Sequence, residues 1–186
     1  VSEFIILAGW RGREIKDYFV RYQALNSDIR VETSSGKVSV LTTPDEEWSV
    51  TILDTGKTTE TAGRLSFVNP FVTDDEDFFL TYGDGLADVD LNKLHRRHVL
   101  SGNPVTMTAV RPPGRYGRLR LEEDNVVEFS EKSEQYQEWV NGGFFVVNAE
   151  LVRRLDCNSG PFETEVLSPL STHHPSKLGV HRHTSF

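Results

Sequence analysis

Apolar positions switch between two spacings along this chain. Phe4 to Ala8 is a short continuous apolar run closed by Gly9, the pattern of a buried parallel strand. Ile15, Tyr18, Phe19 and Tyr22 then recur at i, i+3, i+4 and i+7, which predicts a helix with its aromatic residues in the core. From Ile29 to Asp54, Val31, Val38, Val40, Val50, Ile52 and Leu53 are interleaved with Ser, Thr and charged residues. Several short strands are expected there, with a turn at Ser34-Ser35-Gly36. Thr55 to Thr61 reads as a polar loop, and Ala62 to Val68 as a short helix stopped by Pro70. Asp77 to Tyr82 is the strongest buried-strand pattern and ends abruptly at Gly83-Asp84-Gly85. Asp90 is placed to cap a helix carrying Leu91, Leu94, His95, His98 and Val99. A strand at Pro104–Val110 precedes a hairpin formed by 117–121 and 126–129, with Arg120 opposite Glu128. Further on come a strand at Gly142–Val147, helices at 149–155 and 163–170, and a strand from Val180. Strands alternating with helices predict one mixed α/β domain over residues 1–186.

Composition narrows the class. The 186 residues are 37% hydrophobic and 26% charged, a globular balance, and the length suits a single core. Twenty Lys and Arg against 28 Asp and Glu give a net charge of −8, so no positive field favours non-specific nucleic-acid binding. An anionic substrate then requires basic residues gathered locally. The one cysteine, Cys157, allows no internal disulfide and fits a reducing, cytoplasmic setting. No apolar run nears the ~20 residues that span a bilayer, and Val1–Gly9 lacks the basic start of a signal peptide. There is no initiator Met and both ends fall inside apparent strands, so the chain is expected to be the central part of a longer protein.

Four stretches carry candidate chemistry. At Gly83-Asp84-Gly85 a strand delivers a carboxylate at its carboxyl end, where ligands of open α/β sheets gather. Glycines on both sides allow close approach, and the aspartate can ligate a hard cation; a simple tight turn explains the same residues equally well. Asp88 and Asp90 nearby read as capping or solvated. Asp54 to Arg64 is a hydroxyl-rich loop entering a helix, with free backbone N–H groups suited to phosphate or a base, or a plain loop capped by Thr61. Its Gly and Lys spacing is not that of a Walker loop. Arg111, Arg115, Arg118 and Arg120 form a basic cluster, of which Arg118 and Arg120 alternate with leucines as the outer face of the hairpin. Glu131-Lys132 leaves a strand as a surface pair. His173, His174, His181 and His183 lack the close spacing of a zinc site.

Together, Thr-Ile-Leu-Asp-Thr-Gly (51–56), Thr-Ala-Gly-Arg-Leu (61–65), Phe-Leu-Thr-Tyr-Gly-Asp-Gly-Leu-Ala-Asp (79–88), Pro-Pro-Gly-Arg-Tyr-Gly (112–117), Glu131-Lys132 and Asn-Gly-Gly-Phe-Phe-Val-Val (141–147) resemble, in this order, the glucose-1-phosphate cytidylyltransferases. These belong to the sugar-nucleotide pyrophosphorylases. The resemblance spans nearly the whole chain. It implies a three-layer αβα fold with a mixed, mainly parallel sheet, and transfer of a cytidylyl group from CTP to glucose 1-phosphate, giving CDP-glucose and pyrophosphate. It implies that Asp84 holds Mg2+ and, with Lys132, carries catalysis. Thr59, Arg64 and Gly83 correspond to nucleotide contacts, and Gly117, Glu131, Lys132 and Asn141 to the sugar-phosphate side. Family members are commonly homo-oligomers and serve polysaccharide biosynthesis.

The family's opening glycine-rich loop with its Thr-Arg pair, and the following Pro-Lys-Pro segment, do not occur in this sequence. Gly9-Trp10-Arg11-Gly12 mimics that loop, but Ile15-Lys16-Asp17-Tyr18-Phe19 behind it places this turn on the family's second strand and helix. The second metal-binding Asp of the family follows a Phe-Trp stretch that is also not found, and Ser133 stands where a Pro usually follows Glu-Lys. A uridylyl- or thymidylyltransferase of the same fold, or a non-catalytic sugar-phosphate-binding fragment, are the alternatives.

Overall fold

The first strand, β1 (Glu3–Ala8), pairs in parallel with β4 (Ser49–Asp54), Glu3 opposite Ser49 and Ala8 opposite Asp54. In this computed structural model the described residues are 1–42, 46–73, 76–112, 118–122, 125–130, 138–173 and 177–184. Parallel neighbours need a crossover. Here α1 (Gly12–Leu25) supplies it, together with an antiparallel hairpin of β2 (Ile29–Glu32) and β3 (Lys37–Val40). After β4, a loop enters α2 (Thr61–Leu65), which tightens into a 3-10 turn at Ser66–Phe71. The helix expected over Ala62–Val68 therefore ends earlier. Pro70 lies inside the 3-10 turn rather than beyond a helix; in an α-helix its ring would clash with the carbonyl four residues back.

These elements and residues 152–166 form one compact unit. Its core is Ala8, Ala62, Leu65, Val68, Val152, Phe162 and Val166. The returning segment is bonded to α2 and the 3-10 turn. Ala62 N donates to Gly160 O at 3.1 Å, and Arg153 donates to the carbonyls of Asn69 and Val72, each at 2.9 Å. The aromatic residues of α1 are not core, contrary to the pattern. No residue of α1 is buried, and Tyr18 is 51% exposed. A two-stranded ribbon is too narrow a bed for the helix's apolar face. Tyr18, Phe19, Tyr22 and Trp48 cover one another instead, with Tyr22 and Trp48 ring centres 4.8 Å apart. For the same reason β1 is only partly covered, with Ala8 its one buried residue.

The second unit comprises residues 73–151 and 167–186. Its mixed sheet has the order β10-β6-β9-β5, from β5 (Asp77–Thr81), β6 (Val105–Val110), β9 (Val140–Asn148) and β10 (Leu178–Arg182). β10 is parallel to β6, and β9 is antiparallel to both β6 and β5. The carboxyl ends of β5, β6 and β10 therefore share one end of the sheet with the start of β9. β5 is an edge strand whose residues alternate between half-buried and exposed, so the fully buried strand expected there is corrected: β9 flanks it on one side.

Asp90 caps α3 (Leu91–Ser101), accepting from Lys93 N at 3.0 Å, as its position predicted. The helix seats Leu94 and His98 on the sheet. Buried His98 places Nδ1 3.0 Å from Thr106 Oγ1 and Nε2 3.2 Å from Asp77 Oδ1. The same carboxylate accepts from Asn148 Nδ2 at 3.1 Å, so one imidazole ties α3 to three strands. β7 (Arg118–Glu122) and β8 (Asn125–Ser130) make the expected hairpin, with Arg120 opposite Glu128. The helices expected at 149–155 and 163–170 are shorter or tighter. α4 is the single turn Ala149–Val152, and a π-turn at Glu163–Leu167 leads into α5 (Ser168–His173).

Candidate active site

In the first unit, the loop leaving β4 is built around Thr55. Its N–H and its hydroxyl both donate to the carbonyl of Ala8 at the end of β1, each at 2.9 Å. The buried hydroxyl in turn accepts from Arg64 Nη1 at 2.5 Å, and the same nitrogen donates to Gly56 O at 2.9 Å. Thr59 Oγ1 donates to Thr55 O at 2.5 Å. The two residues assigned to the nucleotide from sequence, Thr59 and Arg64, thus meet on one loop and set its shape. Thr61 does not cap the helix. Glu60 occupies the N-cap position, and the Thr61 hydroxyl accepts from Phe162 N at 2.7 Å. Sequence reasoning set aside the Gly9–Gly12 turn after β1 and gave it no part in the site. Gly9 lies against Arg64, and the Trp10 ring has Lys57 Nζ 5.8 Å from its centre. A glycine followed by an aromatic residue at a strand end was the available signal.

In the second unit, the chain leaving β5 turns at once, with Gly85 N donating to Tyr82 O at 3.3 Å. Asp84 sits on this turn, exposed, and makes no hydrogen bond or ion pair with the described residues. Gly83 has no left-handed φ, and a Cβ built on it would meet nothing within 4 Å. Neither backbone conformation nor packing therefore demands glycine at this position. Gly-Asp-Gly keeps both of its readings, turn and ligand site. An exposed, unpaired carboxylate is also a suitable hard oxygen donor for Mg2+, which takes one or two carboxylates and completes its shell with water and phosphate.

Around the same end of the sheet, Asn141 pairs with Ala109 across β6 and β9, and its Oδ1 accepts from Gly143 N at 2.9 Å. Arg111, directly after β6, stacks on Trp139 with its guanidinium carbon 4.4 Å from the ring centre, and Arg182 of β10 stands 5.6 Å from the same ring. Asp88 is solvated, its side chain 78% exposed, and it lies 3.0 Å from His183 Nε2. Gly117, Glu131 and Lys132, assigned to the sugar-phosphate side, lie outside the described residues, as does Arg115.

The described residues share their fold with solved structures of low sequence identity. The crystal structure of HddC from Yersinia pseudotuberculosis matches 99% of this chain and 70% of its own at a TM-score of 0.62 and 15% identity. The same protein complexed with GMP-PN matches over 96% and 68%, at a TM-score of 0.58 and 14% identity. No family model matches the chain. Among curated proteins, glucose-1-phosphate cytidylyltransferase of Salmonella typhi is 38% identical over 171 residues, covering 92% of this chain and 66% of the relative. The Salmonella typhimurium enzyme gives the same figures. "Probable glucose-1-phosphate cytidylyltransferase" of Bacillus subtilis is 37% identical over 100% of this chain and 72% of its own length. The chain belongs to the glucose-1-phosphate cytidylyltransferase family, and it spans about two thirds of the length of the Salmonella relatives.

Proposed function

We propose that this protein transfers the cytidylyl group of CTP to glucose 1-phosphate, releasing pyrophosphate and forming CDP-glucose. The observation that carries the reading is Asp84, exposed and unpaired among the described residues and next to a Gly83 whose missing side chain none of them would meet, in a chain 38% identical to enzymes of that name. A phosphate oxygen of the sugar attacks the α-phosphorus in line as pyrophosphate leaves, so the barrier is chiefly one of bringing anions together and holding them aligned. The likeness to that family assigns Thr59, Arg64 and Gly83 to the nucleotide, and the first two shape the loop after β4. The same likeness assigns Gly117, Glu131, Lys132 and Asn141 to the sugar phosphate, the lysine offering charge to the phosphate. Asp84 is the residue that holds Mg2+, and the ion, when bound, neutralises phosphate charge. The protein acts in the cytoplasm as a homo-oligomer, and its product enters polysaccharide biosynthesis.

The test is turnover of the full-length protein with glucose 1-phosphate, Mg2+ and each of CTP, UTP, dTTP and ATP. CTP is expected to give the highest kcat/KM; equal or greater turnover with UTP or dTTP overturns the cytidylyl assignment. Asp84→Asn is expected to lower kcat by about 10²- to 10³-fold, the usual loss when a preorganised electrostatic stabiliser is removed.

A further inference from the structure

We infer that Gly9 is a positioning residue for the nucleotide loop: it lacks a side chain so that the Arg64 guanidinium can lie flat against the end of β1 and hold Thr55 and Gly56. A Cβ built on Gly9 would overlap Nη1, Nη2 and Cζ of Arg64 at separations that real Cβ atoms do not adopt. Gly9 has no left-handed φ, so its backbone alone does not call for glycine. The reason for it is the guanidinium.

From that place Nη1 reaches both Thr55 Oγ1 and Gly56 O, and the Thr55 hydroxyl passes the constraint back to Ala8 O, the residue before Gly9. Gly9, Arg64, Thr55 and Ala8 close a ring that joins the carboxyl ends of two parallel strands. Lys57 over Trp10 adds a second link between the same turn and the same loop. The turn set aside as a false phosphate loop is therefore the wall against which the nucleotide loop is set. Because the group in conflict is the far end of a flexible side chain, Gly9→Ala displaces Arg64 rather than breaking the backbone. It should leave a folded protein with a loosened loop.

The inference rests on the proposal that this loop receives CTP, and a double-mutant cycle separates the two. Gly9→Ala and Arg64→Ala are each expected to raise the CTP dissociation constant about tenfold, the worth of one charge-assisted hydrogen bond. Saturated kcat of Gly9→Ala should change less than about threefold, because Gly9 acts through the loop that sets binding and not on the bond-making step. In the double variant the loss should equal that of Arg64→Ala alone, since no guanidinium remains to displace. Wild-type CTP binding by Gly9→Ala, or losses that multiply in the double variant, overturns the inference. If the wild type itself binds no CTP, the functional proposal falls, but the same cycle read as urea midpoints still decides the role of Gly9. Its effect must vanish in the Arg64→Ala background. Should Gly9→Ala fail to fold, the double variant must fold; its failure would be equally fatal.

Discussion

His98 gives the sharpest stability prediction. Its imidazole is 3% exposed and faces Thr106, which is fully buried, on one side and Asp77 on the other. A carboxylate only accepts, so Nε2 carries a proton toward Asp77, and the Thr106 hydroxyl is left to serve Nδ1. His98→Leu refills most of the volume but removes both bonds. The orphaned Thr106 hydroxyl costs about 1–3 kcal/mol, because no water reaches it. Asp77 contributes less. Its side chain is 24% exposed and keeps Asn148 Nδ2 at 3.1 Å, so about 0.5–1 kcal/mol is assigned there. The sum is about 1.5–4 kcal/mol. With a urea m-value of about 2 kcal/mol/M, the unfolding midpoint should fall by about 0.8–2 M. Thr106→Val in the same background should recover part of this loss, since the orphan disappears with its partner. A midpoint within about 0.3 M of wild type for His98→Leu, or a double variant worse than the sum of the singles, would refute the reasoning.

Three other outcomes follow from the geometry. Gly83→Ala, entering open space without a strained φ, should leave the melting temperature within about 2 °C of wild type while weakening nucleotide binding; equal losses in both would return Gly83 to a purely conformational role. Burial, reinforced by the charge of His183 and by Lys93 and opposed by Asp90, holds the pKa of His181 below its ordinary 6.5. The unfolded chain therefore takes up the proton first. The stability tied to neutral His181 is present above pH 6.5 and lost as pH falls through the folded-state value. His181→Gln should shrink the drop in urea midpoint between neutral and mildly acidic pH, and an unchanged drop would count against this account. Arg153→Ala, which frees the carbonyls of Asn69 and Val72, should lower stability by about 1–2 kcal/mol in thermal unfolding.

Element type was legible in the sequence, and burial was not. The helical spacing of Ile15, Tyr18, Phe19 and Tyr22 and the apolar run Phe4–Ala8 correctly name a helix and a parallel strand. Periodicity reports which face is apolar; how much of that face is covered depends on sheet width, which no local pattern encodes. That is why α1 ends up half covered by its own aromatic rings, and why the edge position of β5 defeats the reading of Asp77–Tyr82 as fully buried. Asp90 is the opposite case. A cap is a local event, and Asp90 directly before the helical spacing of Leu91, Leu94 and His98 was enough to place it.

The candidate site divides along the same line. Gly83-Asp84-Gly85 announces itself because strand, turn and carboxylate are contiguous. The support of the nucleotide loop does not, because Gly9 and Arg64 are separated by α1, a hairpin and β4, and a glycine in sequence carries no sign of what occupies its missing side chain. Compared as a string with a phosphate loop, the Gly9–Gly12 turn fails and is dismissed. Its part in the site is to leave room. Two parallel strands ending side by side give each end loop the other as its nearest support, so the requirement for a small residue just after β1 is written into the length of an arginine on α2. Shortening that arginine, not restoring a phosphate-loop motif, is what should make a side chain at position 9 tolerable.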